Sequence, residues 1–224
     1  DPYQPVERML ELTRRCLEVF LEFRNPVQLI TKNHLITRDV DLLAELARLQ
    51  LVRVHLSMTT LDPELSRLME PRASIPARRL LAIEKLARAG IPTTVMASPM
   101  IAGLNDHELP EILSQAARAG ARAGGYIPLR LPGNVQAVFV AWLEEHFPLR
   151  KEKILSRIRD MREGKLNDSN FHTRFRGQGK AAEHLAQLFQ LALRRSGLTQ
   201  ELPPLRIDLF RRPPQGRQQL DLFS

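Results

Sequence analysis

What most constrains this chain is the alternation of short β-branched or apolar runs with longer amphipathic stretches. Four such runs stand out: Val27–Thr31, Leu51–Ser57, Thr93–Ala97 and Gly125–Leu131. Helical patterns lie between them near 39–49, 76–89 and 107–119, and another precedes the first run at 6–23. At this spacing the alternation means βα units and a parallel sheet. The local end signals agree. Asn25-Pro26 stops the first helix, since the residue before a proline is pushed out of the α region. Gly90 and Gly120 suit the left-handed position that closes a helix. Asp106 opens the last of these helices, with Glu108 and Glu111 favourable to its dipole. Two architectures satisfy the pattern, an open doubly wound sheet or a barrel. Neither Gly-x-Gly-x-x-Gly nor a Walker sequence occurs, which argues against dinucleotide and nucleotide binding. The runs end in polar residues: Thr31-Lys32-Asn33, Ser57-Met58-Thr59-Thr60, Ser98 and Arg130. In either architecture ligands bind at the C-terminal ends of the strands.

After Pro132 the pattern changes. Val135–His146 and Lys151–Arg162 read as helices, and Asn167–Gly179 as a polar loop carrying Phe171 and Phe175 beside Arg174 and Arg176. Ala181–Arg195 is a good amphipathic helix; from Leu202 the tail, rich in Pro, Arg and Gln, reads as extended or disordered. The organisation is therefore 1–133, a strand-bearing unit; 134–200, a basic helical extension; and 201–224, the tail. Charge follows this division. Residues 1–148 hold 17 basic and 17 acidic side chains, while residues 149–217 hold 16 basic against 7 acidic, a surplus of +9. Asp221 brings the total to +8. A basic third suggests an anionic partner, nucleic acid first; the alternative is a merely solvated basic face.

With 224 residues, 43% of them apolar, the chain can bury one sizeable core. It has no run of 18 apolar residues, so no membrane span is expected, and no signal peptide is visible. A reducing cytoplasm fits the single cysteine. Cys16 lies in an amphipathic pattern and reads as a small buried residue. One cysteine and six scattered histidines exclude an iron–sulfur centre or a structural zinc held by this chain, so no metal ligands are assigned. No Ser/His/Asp set is readable, and no catalytic residue is assigned.

Five strings, in order, carry a resemblance. They are Asp1-Pro2-Tyr3-Gln4-Pro5-Val6-Glu7; Leu29-Ile30-Thr31-Lys32-Asn33 with Ile36-Thr37-Arg38-Asp39; Leu56-Ser57-Met58-Thr59-Thr60-Leu61-Asp62; Met69-Glu70-Pro71-Arg72-Ala73; and Ala89-Gly90-Ile91-Pro92 leading into Ser98-Pro99-Met100-Ile101-Ala102-Gly103-Leu104-Asn105-Asp106. Over residues 1 to about 165 the chain resembles the radical S-adenosylmethionine (SAM) proteins of the spore-photoproduct-lyase-like group, in its uncharacterised bacterial branch. The resemblance implies an α/β fold, a partial (βα)6 TIM-like barrel lacking its N-terminal unit. It also implies S-adenosylmethionine and a 4Fe–4S cluster as cofactors, with the cluster ligands expected in a missing N-terminal part. The absent Met and the opening inside a motif read the same way.

By the same resemblance Lys32 would neutralise the methionine carboxylate, and Ser57 would bond the ribose hydroxyls. Ile101 would pack on adenine while Gly103 admits close backbone approach. Pro99 and Asp106 depart from that group's usual Gly and Glu. The alternatives are a lysine snorkelling to solvent, a serine capping its strand end, and an isoleucine in the core. Tyr126 and Arg130, on the last run, are substrate-side candidates by position, and Arg130 would meet a phosphate, a cofactor carboxylate or a structural partner. The tail string Gln219-Leu220-Asp221-Leu222-Phe223 is similar to the bacterial sliding-clamp-binding pentapeptide, which implies a clamp partner. The functional expectations are a radical enzyme acting on nucleic acid, one acting on a small molecule or peptide, or a cluster-free binding module.

Overall fold

A computed structural model describes residues 1–170 and 173–212. Phe171 and the Gln219–Phe223 string lie outside the described residues. The elements follow in order as α1 (Glu7–Leu10), α2 (Leu12–Glu22), β1 (Val27–Thr31), α3 (Val40–Arg48), β2 (Val52–Met58), α4 (Pro63–Met69), α5 (Pro76–Arg88), β3 (Thr93–Met100), α6 (Leu109–Arg118), β4 (Ala123–Pro128), α7 (Val135–His146), α8 (Lys151–Asp160) and α9 (Gly179–Arg195). Short 3-10 turns precede α3 and α6. All four strands are parallel and lie in the order β1-β2-β3-β4. A doubly wound sheet reverses its order at a switch point, whereas a barrel wall proceeds strand by strand. The order seen is that of a barrel wall, so the fold is α/β with four strands of a partial barrel.

One face of the sheet is covered by helices. Leu43 and Leu46 of α3, Ile83 and Leu86 of α5, and Ile112, Leu113 and Ala116 of α6 repeat at helical spacing and are all fully buried. They meet Val52, Val54, Leu56, Met58, Val95 and Ala97 in one core. Each large side chain contributes about 1.5–3 kcal/mol of gross burial. The opposite face is open at β1, where Ile30 is 56% exposed. Arg53 and His55 of β2 lie on that face.

The extension does not stand apart from the strand-bearing unit. Phe189, Ala192 and Leu193 of α9 join the first core, with Phe189 tilted on Tyr126 at 4.8 Å between ring centres. Gly124 permits this approach: a Cβ there would come within 2.9 to 3.3 Å of Leu113, Leu193 and Leu198. Helices α7 and α8 build a second core with Ile101, Leu104 and Leu131.

Several expectations are corrected. The helix at 6–23 is broken at Glu11, which takes a left-handed conformation so that α1 and α2 lie separately. Cys16 is exposed, because α2 turns Leu17, Phe20 and Leu21 inward and Cys16 falls on their flank. Asp106 does not open α6; its carboxylate accepts from the Gly103 amide at 3.0 Å, and α6 begins at Leu109. The last strand starts earlier and ends at Pro128, leaving Arg130 beyond it. The short α4 was not foreseen, although Asp62 caps it and Pro63 opens it.

The tail after Leu202 is a strap in its described part. Thr199 pairs beside Ala123. Arg53 then donates to the Leu202 carbonyl at 2.9 Å, and the Arg206 amide to the Gln50 carbonyl at 3.0 Å. The Arg211 amide reaches the Phe23 carbonyl at 2.8 Å. The strap thus crosses the N-terminal ends of β4, β2 and β1 in turn, opposite the rim where the sequence places ligand groups.

Candidate functional site

The strand-end rim is held by a buried ionic network. Arg79 sits on α5, a helix begun by Pro76, and is 1% exposed. All its donor nitrogens are used: Nε to the Ser74 carbonyl at 2.7 Å, Nη1 to the Ser57 carbonyl at 3.0 Å, and Nη2 to Glu70 Oε2 at 2.6 Å. Glu70 follows α4, accepts from the Thr59 hydroxyl at 2.7 Å, and pairs with the Lys32 ammonium. Burial alone pushes the Glu70 carboxyl up, but the Lys32 and Arg79 charges prevail and hold it below the usual carboxylate range. Lys32, just past β1, is thereby aimed rather than left to sweep through solvent. Its backbone amide is fixed too, donating to Asp1 Oδ2 at 2.8 Å.

The strings that open the chain build this rim. Asp1 also accepts from the Thr31 hydroxyl at 2.7 Å. Tyr3 is fully buried and donates to Asp39 at 3.1 Å, and burial, with the Asp39 charge, pushes its phenol far up. Asn105, also fully buried, ties two strand-end loops together. Its amide donates to the carbonyls of Thr59 at 2.7 Å and Pro99 at 3.0 Å, and its oxygen accepts from the Ile101 amide at 2.7 Å. Glu108 accepts from the Thr60 hydroxyl at 2.6 Å and the Leu61 amide at 2.7 Å. Arg79 was not singled out from sequence, while Asn105 was read only as part of a string and Glu108 only as favourable to a helix dipole. The only signal for Arg79 was a polar residue inside a pattern otherwise read as helix.

The candidates divide. Lys32 and Glu70, with Tyr3, Asn33 and Arg72, line a cavity of about 780 Å3, within the range of small-molecule sites. Ser57 is buried beside Met96 of β3 and held at its carbonyl by Arg79. Ile101 and Gly103 lie elsewhere. Ile101 is fully buried in the second core, so its side chain packs on protein. Gly103 has φ +85° and a Cβ there would come 3.0 Å from Arg157, so the close approach it admits is to α8. Tyr126 lines a separate hollow of about 1040 Å3 with Arg53, His55, Phe175 and Arg176. Burial pushes the Tyr126 phenol up, against the charge of Arg176. Arg130 stacks on Phe175 at 4.7 Å.

An ammonium and a carboxylate side by side in a cavity fit the zwitterionic end of an amino-acid cofactor. The set for a cluster does not fit. Cys16 is the chain's single cysteine and lies exposed on α2, and among the described residues no group of three His, Cys, Asp or Glu is placed to hold a metal. No described helix is long and apolar enough to cross a membrane.

Comparison with known proteins bears on the fold and the family. Uncharacterised proteins of Mycobacterium bovis and Mycobacterium tuberculosis are each 32% identical over 163 residues, covering 72% of this chain and 47% of their own length. One from Methanocaldococcus jannaschii is 30% identical over 108 residues, covering 48% of this chain and 40% of its own. The chain thus spans about half the length of the mycobacterial relatives. A spore photoproduct lyase point mutant superposes with a TM-score of 0.62 at 15% identity, over 88% of this chain and 57% of the other. A double mutant of that lyase, with AdoMet and a dinucleoside spore photoproduct bound, gives 0.63 at the same identity and coverage. At that identity the likeness is one of fold. The model of the radical SAM superfamily matches residues 3–116, through the strands and helices that carry the rim, and the chain belongs to that superfamily.

Proposed function

We propose that the protein acts as a radical SAM enzyme on nucleic acid, with this chain holding S-adenosylmethionine at the strand-end rim and presenting the substrate to it. The observation that carries the reading is the aimed Lys32, fixed at a cavity mouth through Glu70 and Arg79. A bound S-adenosylmethionine would supply hydrogen-abstraction chemistry once reduced by a 4Fe–4S cluster. The cluster's thiolates would have to come from outside these residues. Lys32 would pair with the cofactor carboxylate and Glu70 would accept from its ammonium. Ser57, positioned by Arg79, would meet the ribose. Asn105, through the Thr59 carbonyl, and the half-buried Glu108, through the Thr60 hydroxyl, would tie the strand-end loops of this rim together.

The nucleic acid reading rests on the +9 surplus in residues 149–217 and on the fold shared with a lyase solved with a dinucleoside photoproduct. A small-molecule substrate is the second reading, favoured by the size of the Tyr126 hollow. The test is 5′-deoxyadenosine release by the full-length protein, reconstituted anaerobically with iron and sulfide and then reduced. Release that falls with Lys32→Ala and Ser57→Ala supports the assignment, as does about tenfold weaker S-adenosylmethionine binding by Lys32→Ala in calorimetry. A loaded protein that never cleaves the cofactor sinks the catalytic reading. Binding of DNA that weakens steeply with salt separates nucleic acid from a small molecule.

A further inference from the structure

Residues 1–148 hold 17 basic and 17 acidic side chains, yet the fold gathers cations on one of their surfaces. Helix α5 carries Arg78 and Lys85 seven residues apart, two turns along one face, so their attachment points stand about 10 Å apart. The 3-10 turn before α3 packs against this helix and adds His34. Burial, with the charges of Lys85 and Arg78, holds the His34 imidazole below its ordinary value, and no acid is among the charges acting on it. At neutral pH it is therefore an uncharged ring with one N–H to donate. We propose that His34, Arg78 and Lys85 form a track for the phosphate backbone of a nucleic acid on the outer side of the rim; this rests on the substrate class proposed above.

The three groups are available to a ligand. Arg78 and Lys85 are exposed, and His34 is half-buried with its ring nitrogens reaching solvent. None of these side chains has a hydrogen-bond or ion-pair partner among the described residues. The acids in the 3-10 turn, in the loop before α5 and on α5 itself serve other cations. Asp39 accepts from Arg14, Arg38 and the Tyr3 hydroxyl. Glu70 pairs with Lys32 and Arg79, and Glu84 with Arg88. Two like charges about one screening length apart repel, and a bound phosphate chain would relieve them.

Position and spacing favour a nucleic acid over other anions. The track adjoins the rim through Ser74, whose amide donates to the Lys32 carbonyl at 3.2 Å. The Ser74 hydroxyl accepts from the His34 amide at 2.9 Å and donates to Asn33 Oδ1 at 3.1 Å. Arg72, in the same loop, is exposed, has no side-chain partner among the described residues, and lines the cavity that Lys32 shares. A chain lying on the track would thus be led toward that cavity. A strand of duplex carries one phosphate per 3.4 Å of axis, so two turns of α5 match about three phosphates. Leu81, 43% exposed, stands one turn from each cation and gives a sugar or base an apolar contact. One such side chain is too little for a bilayer, where a surface helix buries a whole apolar face.

The experiment is fluorescence anisotropy of the full chain with a labelled single-stranded oligonucleotide at about pH 8, titrated between about 50 and 200 mM salt. Arg78→Gln and Lys85→Gln should each weaken binding about fivefold on any sequence, and together flatten the salt slope by about 1.4. Both variants keep the helix, since Gln forms it about as readily as Arg or Lys. His34→Ala should weaken binding about threefold with the slope unchanged, because a neutral donor releases no counterion. Arg118→Gln removes the same charge from α6, where the side chain is 67% exposed, and should change neither quantity. Equal losses from Arg118→Gln and Arg78→Gln, or parental binding by the Arg78→Gln/Lys85→Gln double variant, would overturn the track while leaving nucleic acid binding to the basic third. Tighter, Arg78-dependent binding to phosphatidylserine vesicles would overturn it in favour of a membrane surface. A wild-type chain that binds no oligonucleotide would sink the substrate class and the track together, leaving cofactor cleavage to its own assay.

Discussion

Arg79→Met is the substitution that most directly examines the rim. Arg79 is 1% exposed and Glu70 is 10% exposed at its side chain, so the pair is a buried one. Removing one partner of such a pair costs about 3–5 kcal/mol, because the other charge is left without its partner in low dielectric. Here Lys32 and Thr59 still serve Glu70, which pulls the figure toward the lower end. Against that, the carbonyls of Ser57 and Ser74 lose their charged donor. We take about 4 kcal/mol, a large part of the 5–15 kcal/mol available to a folded domain. At about 2–4 °C per kcal/mol for a chain of this size, the melting temperature should fall by roughly 8–16 °C. Arg79→Lys keeps the charge but not the fork, and should cost about 1–3 kcal/mol. Urea and thermal melts followed by circular dichroism give both values. The Arg79→Met/Glu70→Gln double variant should recover part of the loss, since it leaves no orphaned carboxylate. If Arg79→Met melts within about 1 kcal/mol of the parent, the pair is solvated in solution and Lys32 is not aimed as described.

The remaining predictions concern single groups. His55 is held below its ordinary value by burial and by the Arg53 charge, and His34 by burial with Lys85 and Arg78. Stability should therefore be complete above about pH 6.5 and fall as the pH drops below it, with His55→Gln flattening the decline in urea melts. Both tyrosines, Tyr3 and Tyr126, have phenols pushed up by burial. Absorbance near 295 nm should stay flat through about pH 10, with stability lost as pH rises beyond that value and the Tyr3 phenolate appearing only on unfolding. A native sample that ionises one tyrosine near pH 10 would contradict the burial. Cys16 should react fully with a thiol reagent without denaturant; protection would restore the buried reading.

Much of this architecture is local chemistry, and local chemistry is legible. Val27–Thr31 emerged with the boundaries expected, and the others moved by one to three residues. Strand runs, the Asn25-Pro26 stop and the left-handed Gly90 and Gly120 each act over a few residues of chain. So does the order of motifs that marks the superfamily, which needs no knowledge of what touches what. The position of Lys32 was legible the same way, as a cation one step beyond a strand.

Other features depend on partners far apart in the chain. No pattern distinguishes Arg79 from the exposed Arg88 on the same helix; what separates them is that one meets Glu70 and two carbonyls, the other solvent and Glu84. Ile101 was read either as a ligand contact or as core, and α7 and α8 place it in the second core. Cys16 looked buried because amphipathicity marks a face but not its edges. The strap from Leu202 to Arg211 has a composition suited to disorder, yet its backbone hydrogen bonds to Gln50 and Phe23, more than 150 residues away, order it. The sequence alone determined the units and the rim along which they end. The tertiary structure decided which charged groups are paired, buried or left available there, because burial and Coulomb energy depend on distances in space rather than along the chain.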